Sequence, residues 1–171
     1  MPEQKTMERA RRDKRQGKAS STQAGEFVRE EMEHIRQGKH GARSTKQAIA
    51  IGLSKARRAG VNLPPPKKGQ TSERTRRSAE RAYEKGQAGT DHKTNPTRSR
   101  AITGVLRREP HGAASHTALA KQAKQQARQR TAAERSASAR KGAQTRLAHQ
   151  SHAERSRIAR KAARTRARHG H

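Results

Sequence analysis

Fourteen of the 171 residues are Leu, Ile, Val or Phe: five leucines, five isoleucines, three valines and one phenylalanine. At about 8% of the chain they fall well below the roughly 20% under which a strongly charged sequence lacks the material for a conventional core. Burial contributes only about 25 cal/mol per Å² of apolar surface, so a large globule is excluded although the length suits one domain. Most of the 27% of residues counted as hydrophobic are alanines, which favour helix more than cohesion. The expected class is therefore all-α, with helices that pack sparingly.

Charge points the same way. There are 42 Lys and Arg against 14 Asp and Glu, a formal net charge of +28, so a compact state repels itself until a polyanion neutralises it. The excess is uneven, with 15 basic against 7 acidic residues over 1–60, 12 against 5 over 61–110, and 15 against 2 over 111–171. The last third is expected to supply most of the affinity for an anionic partner. One Phe, one Tyr and no Trp leave few platforms for stacked bases, which disfavours single-strand and loop-reading RNA binding and leaves phosphate contact driven by counterion release. Without cysteine there is no disulfide framework or thiolate zinc site. No apolar run approaches the ~18 residues of a membrane span, and none follows the basic N-terminus as in a signal peptide.

Residues 1–20 mix charges without apolar periodicity and read as a basic, solvated arm. A helical hairpin is expected over 21–63. Phe27, Val28, Met32 and Ile35 form one stripe of a first helix, which Gly38 is placed to stop. Ser44, followed by Gln47, has the capping-box spacing at the start of a second helix, whose stripe is Ile49, Gly52, Leu53 and Ala56 and whose stop is Gly60. Residues 64–98, with three prolines at 64–66 and a weak helical pattern around Glu73–Lys85, read as a flexible linker. A basic helical segment is expected over 99–130, opening at a Ser99 cap, carrying Ile102, Val105 and Leu106, and interrupted at Pro110.

Residues 131–150 align without gaps on 151–170, with eleven identities in twenty positions. Each unit opens with Thr131 or Ser151 three residues before a glutamate, again a capping box. A twenty-residue shift on one straight helix turns equivalent side chains about 200° apart, so a break near Gln150–Ser151, giving two separate basic helices, is the adopted reading. The free segment is expected to be helical or disordered and to order on a polyanion.

The loop from Gly38 to Arg43 ends at a helix N-terminus, where free N–H groups and the dipole favour an anion, which makes Lys39 and Arg43 candidate phosphate contacts. Its Gly-x-x-Gly core resembles the backbone-clamping loop of KH domains, without the strands of that fold. At about six residues it is longer than a helix-turn-helix turn, which disfavours base reading by the second helix. Further candidates for phosphate are Lys46, Arg57 and Arg58 in the hairpin, Arg135, Arg140, Lys141 and Arg146 in the first repeat, and Arg155, Arg157, Arg160, Lys161, Arg164, Arg166 and Arg168 in the second. His149 and His152 have the i, i+3 spacing that could share a helix face, but no cysteine or carboxylate pair completes a four-ligand site. No nucleotide-binding or nucleophile-elbow motif is present. Catalysis, a metal, a cofactor and a small-molecule substrate are not expected.

The segment Ser21–Pro66, above all Ser44-Thr45-Lys46-Gln47-Ala48-Ile49-Ala50-Ile51 continuing to Ala56-Arg57, resembles a family of small basic bacterial proteins classed as a domain of unknown function. The resemblance implies a DNA-binding or plasmid-stabilisation label for some members and no established mechanism. The Ala/Arg/Lys-rich C-terminal region is similar in composition to linker-histone and bacterial histone-like tails. The expected function is sequence-independent DNA binding by a cytoplasmic, nucleoid-associated protein. Its alternatives are an RNA- or ribosome-associated basic protein, an interaction adaptor localised by its basic tail, and, more distantly, a membrane-surface binder.

Overall fold

The computed structural model describes residues 2–89 and 95–169, apart from the side chains of His149 and His169. Among them every regular element is helical: α1 (Gln4–Arg15), α2 (Ser20–Arg36), α3 (Thr45–Arg58), α4 (Glu73–Gln87), α5 (Pro96–Arg107), a 3-10 turn at His111–Ala114, α6 (His116–Gln129), α7 (Ala132–His149) and α8 (His152–His169). The chain divides into two units, one ending at Gln122 and the other beginning at Ala123.

In the first unit, α2 and α3 form the expected hairpin. Both helices stop as anticipated: Gly38 (φ 73°) and Gly60 (φ 81°) turn left-handed, and the next N–H, of Lys39 or Val61, returns to the carbonyl of His34 or Ala56. Ser44 Oγ accepts from Gln47 N–H (3.2 Å), while Gln47 Oε1 reaches one residue beyond the expected box, to Arg43 N–H (2.9 Å). Small residues make a core possible here. Ala24, Ala48 and Ala56 are inaccessible beside Phe27 and Ile35, and a Cβ on Gly52 would lie 2.6 Å from Val28 Cα, so the two backbones nearly touch. Two clusters result, one of Met32, Ile35, Ala42 and Ala48 with Ala113 and Ala114, the other of Ala10, Ala24, Phe27, Ala56 and Val61. With Val28, Ile49, Leu53, Leu63 and Leu119 packed against them, they use eight of the fourteen large aliphatic and aromatic side chains.

Three segments depart from expectation. The first residues are not a solvated arm: α1 buries Thr6, Ala10 and Asp13, and polar contacts substitute for the missing stripe. Glu3 N–H donates to Glu30 Oε2 (3.0 Å), Arg9 pairs with Glu26 (2.6 Å), and Lys18 closes on Asp13 (2.7 Å). The flexible linker is likewise overturned over most of its length, although residues 90–94 of it lie outside the described residues. Here α4 packs on α3, burying Ala79 and Ala82, and Tyr83 Oη donates to Asn62 Oδ1 (2.7 Å). Beyond it, α5 starts at Pro96 under an Asn95 cap rather than at Ser99, since proline suits the first helical position. The chain after α5 returns to the hairpin, where Thr45 Oγ1 donates to Ala113 O (2.7 Å) and Arg36 Nε to Ala114 O (2.9 Å).

In the second unit the break falls where expected, with Gln150 extended (ψ 132°) between α7 and α8. Each repeat begins with the anticipated reciprocal cap. Glu134 N–H donates to Thr131 Oγ1 (3.2 Å) and Thr131 N–H to Glu134 Oε2 (2.8 Å); Glu154 N–H donates to Ser151 Oγ (3.3 Å) and Ser151 N–H to Glu154 Oε2 (3.0 Å). The region is helical, and the disordered alternative is not supported. Its largest apolar side chains, Leu147 and Ile158, are 54% and 51% exposed, so local terms carry these helices. Thr131→Ala and Ser151→Ala are each expected to remove about 1 kcal/mol of helix stability, read as faster amide hydrogen exchange across 132–149 and 152–169 in the full chain. Unchanged protection would show that the caps do not set the helix starts.

Candidate nucleic-acid interface

At about 100° per residue, Arg157, Arg160, Lys161, Arg164 and Arg168 of α8 occupy one face roughly 100° wide, while Arg155 and Arg166 lie opposite. Eleven positions at 1.5 Å each give that face a length of ~16 Å, over which duplex DNA presents a phosphate charge every ~1.7 Å. In α7 the cations are more dispersed: Arg135 and Arg146 share a face, and Arg140 and Lys141 point away from it. All eleven of these side chains are exposed.

The acids decide what those cations are free to do. Among residues 2–89, eight carboxylates are already engaged in ion pairs, at Glu3, Asp13, Glu26, Glu30, Glu31, Glu33, Glu73 and Glu80. Arg76 and then Arg77 hold the Glu73 carboxyl at about 2. In α7 and α8 the two acids instead serve the helix starts. The Thr131 backbone N–H, foremost, holds the Glu134 carboxyl below its ordinary value, and Glu154 makes the same bonds to Ser151. The cations of the repeat therefore have no described carboxylate partner within their own unit.

The hairpin candidates separate. Arg43, Lys46 and Arg58 are exposed. Lys39 is drawn to Glu3 (3.1 Å). Arg57 is only 8% exposed; its guanidinium donates to the Leu63 and Pro64 carbonyls (3.1 and 3.2 Å), and burial lowers its pKa, so it ties down the chain leaving α3 and offers nothing to phosphate. The Gly38–Arg43 loop is no phosphate clamp either, because Gly41 N–H donates to Leu106 O (2.8 Å) and Ala42 N–H to Pro110 O (3.1 Å).

A cationic cleft was missed. Arg58, Arg74, Ser78, Arg81, Ala82, Lys85, Arg98 and Ile102 line an open cavity of about 490 Å³, with no acid among them. Arg74, Ser78, Arg81 and Lys85 fall within about 60° on α4, a pattern visible in the sequence but obscured when that stretch is read as linker. Glu31, His34 and His40 also come together, each offering one ligand atom within 4.8 Å of the others; of the pair His149 and His152, the His149 side chain lies outside the described residues.

Residues 20–68 match a family of unknown function, DUF6496. The match spans α2, the closed loop, α3 and the polyproline turn, less than a third of the chain. Its description assigns no activity, so the DNA-binding and plasmid-stabilisation labels implied by the resemblance gain no support from it. No curated protein and no solved structure matches the chain. No described helix is long and apolar enough to cross a membrane.

Proposed function

We propose that the chain is a non-enzymatic, nucleoid-type protein that binds duplex DNA through phosphate contacts without reading sequence. The observation that carries this reading is the division of charge: most described acids of the first unit are engaged in ion pairs, those of Glu26, Glu30 and Glu31 between helices, whereas the cations of α7 and α8 stand exposed with both nearby acids committed to caps. Aromatic stacking has little to work with as an alternative mode, since the one phenylalanine, Phe27, is fully buried and a single tyrosine, Tyr83, with its hydroxyl bonded to Asn62, is the other. That favours duplex DNA over unpaired RNA.

The test is fluorescence anisotropy with a random duplex DNA and a structured RNA of equal charge, each across a salt series. With about 6–10 phosphates engaged, affinity should fall roughly 10³–10⁵-fold between 50 and 200 mM salt, with DNA retained better at the upper end. Tighter RNA binding at high salt would replace the reading with an RNA-associated one, and a shallow slope on both would favour the adaptor. The cleft contributes within the same assay. Arg58→Glu with Arg81→Glu is expected to flatten the log–log salt slope by about 2, one phosphate contact for each arginine, with unchanged helicity because both side chains are exposed. An unaltered slope would remove the cleft from the interface.

A further inference from the structure

We infer that Glu31, His34 and His40 form a binding site for a borderline divalent metal ion, zinc foremost. The argument begins with buried charge. Glu30 and Glu31 are each 1% exposed, and a single ammonium, that of Lys55, serves both, at 3.4 Å from Glu30 Oε1 and 2.7 Å from Glu31 Oε2. Glu30 gains the Glu3 N–H as well. Glu31 gains less, since Lys55 approaches its Oε2 too obliquely for a hydrogen bond. One negative charge is left over in a place where an uncompensated charge is costly, and it faces His40.

The tautomer of His40 sharpens this. Its Nδ1 lies 3.0 Å from Gly41 O, and a carbonyl oxygen only accepts, so the proton is on Nδ1. In the neutral ring Nε2 is then a lone pair, yet it stands 3.1 Å from Glu31 Oε1, another acceptor. Two lone pairs at that separation require a cation between them, either a proton on Nε2 or a metal. Two ligands bound at ~2.0–2.1 Å to a tetrahedral zinc sit roughly 3.3 Å apart, close to the spacing observed.

His34 completes a set of two imidazoles and one carboxylate, its ligand nitrogen within 4.8 Å of the other two ligand atoms. That donor set suits zinc and its transition-metal neighbours rather than magnesium or calcium. An outer group has the usual character of a metal site, with Gly41 O fixing the His40 ring through Nδ1. Glu31 and His34 are one turn apart on α2, and His40 lies in the loop that follows. A bound ion thus staples that loop, against which the Leu106–Pro110 chain is hydrogen-bonded, to the helix before it.

The test uses the full chain without nucleic acid. Zinc chloride titrated calorimetrically at neutral pH should fill one site of micromolar or tighter affinity, and the thermal midpoint should rise by several degrees with zinc but not with magnesium. His40→Gln should abolish both effects, whereas His152→Gln, which removes an exposed histidine of the repeat, should leave them intact. Cobalt in place of zinc should give the visible absorption of a tetrahedral site in the wild type and lose it in His40→Gln. Absence of a zinc-dependent rise in the wild type overturns the proposal whether or not any variant folds. Equal zinc binding by wild type and a folded His40→Gln chain overturns it as well.

Discussion

A chain ended after Arg130 should bind duplex DNA roughly 10²–10⁴-fold more weakly than the whole protein near physiological salt, with a salt slope flatter by about 5, if about six of the cations removed contact phosphate. The cut removes eleven Lys and Arg and two Glu, a net +9. Its position matters. Truncation at residue 110, the natural choice from charge alone, would also remove Ala113, Ala114 and Leu119, which belong to or pack against the hairpin core, and would confuse lost affinity with lost fold. A cut after Arg130 leaves every residue of that core in place, so circular dichroism should show only the helicity of α7 and α8 disappearing. The comparison is a chain with Arg11, Arg12, Lys14 and Arg15 changed to Gln, all exposed on α1, for which a loss under about 2-fold is expected, a smaller loss per charge than the truncation gives. Equal losses per charge removed would mean that the protein binds as a uniform polycation, and the repeat would lose its special place in the interface.

The parts of the fold that could be read from the sequence are those governed by local rules. Gly38 and Gly60 stop their helices, Ser44, Thr131 and Ser151 start theirs, and the break at Gln150–Ser151 follows from the repeated Thr/Ser-x-x-Glu. Each depends on hydrogen bonds within a few residues. What escaped is tertiary packing through small side chains. Ala10, Ala79, Ala82, Ala113 and Ala114 are 9% exposed or less, yet an alanine that lets two backbones meet is indistinguishable in sequence from one that merely favours helix. The same blindness hid the site residues. Arg57 and Arg58 are neighbours of one chemical type, but the geometry of α3 directs the first into the turn at Leu63–Pro64 and the second into the cleft. His34 and His40 lie six residues apart with no motif spacing, and only the reversal of chain direction at Gly38 brings the second histidine back to Glu31.

Charge had a further consequence that composition concealed. In a chain of net charge +28 the acids are too few to be scattered, and their placement separates the cations with structural work from those without it. Glu30 and Glu31 are both paired with Lys55 of α3, and Glu30 also accepts from the Glu3 N–H that precedes α1. Removing Lys55 would take away the ammonium that both carboxylates share, whereas removing Arg164 or Arg168 strands nothing. Arginines of the second kind are the ones a polyanion can bind without competing against the fold.

The α4 helix supplies the sharpest distinction between the two views of this chain, because one substitution has opposite signs under them. If residues 73–87 were a transient helix in a linker, Gly86→Ala would raise helix propensity and stabilise by up to ~1 kcal/mol. In the packed structure a Cβ on Gly86 would fall on the carbonyl oxygen of Arg57, 2.8 Å from its carbonyl carbon and 3.1 Å from Gly60 N. Those atoms are backbone, so no rotamer change relieves the clash, and α4 must move off α3. The shift exposes Ala79 and Ala82 and strains the Tyr83–Asn62 bond, for an expected loss of about 1–3 kcal/mol in urea unfolding of the full chain. It also separates Arg74, Arg81 and Lys85 from Arg58, so the salt slope for DNA should flatten in the same variant. Gly25→Ala is the control: it lies within α2, and its Cβ would meet nothing within 4 Å, so there the gain in propensity should appear unopposed. If both substitutions stabilise, α4 is not docked and the cleft does not exist as a unit; if they diverge in sign, the contact of Gly86 with the end of α3 is what holds the cleft's cations together.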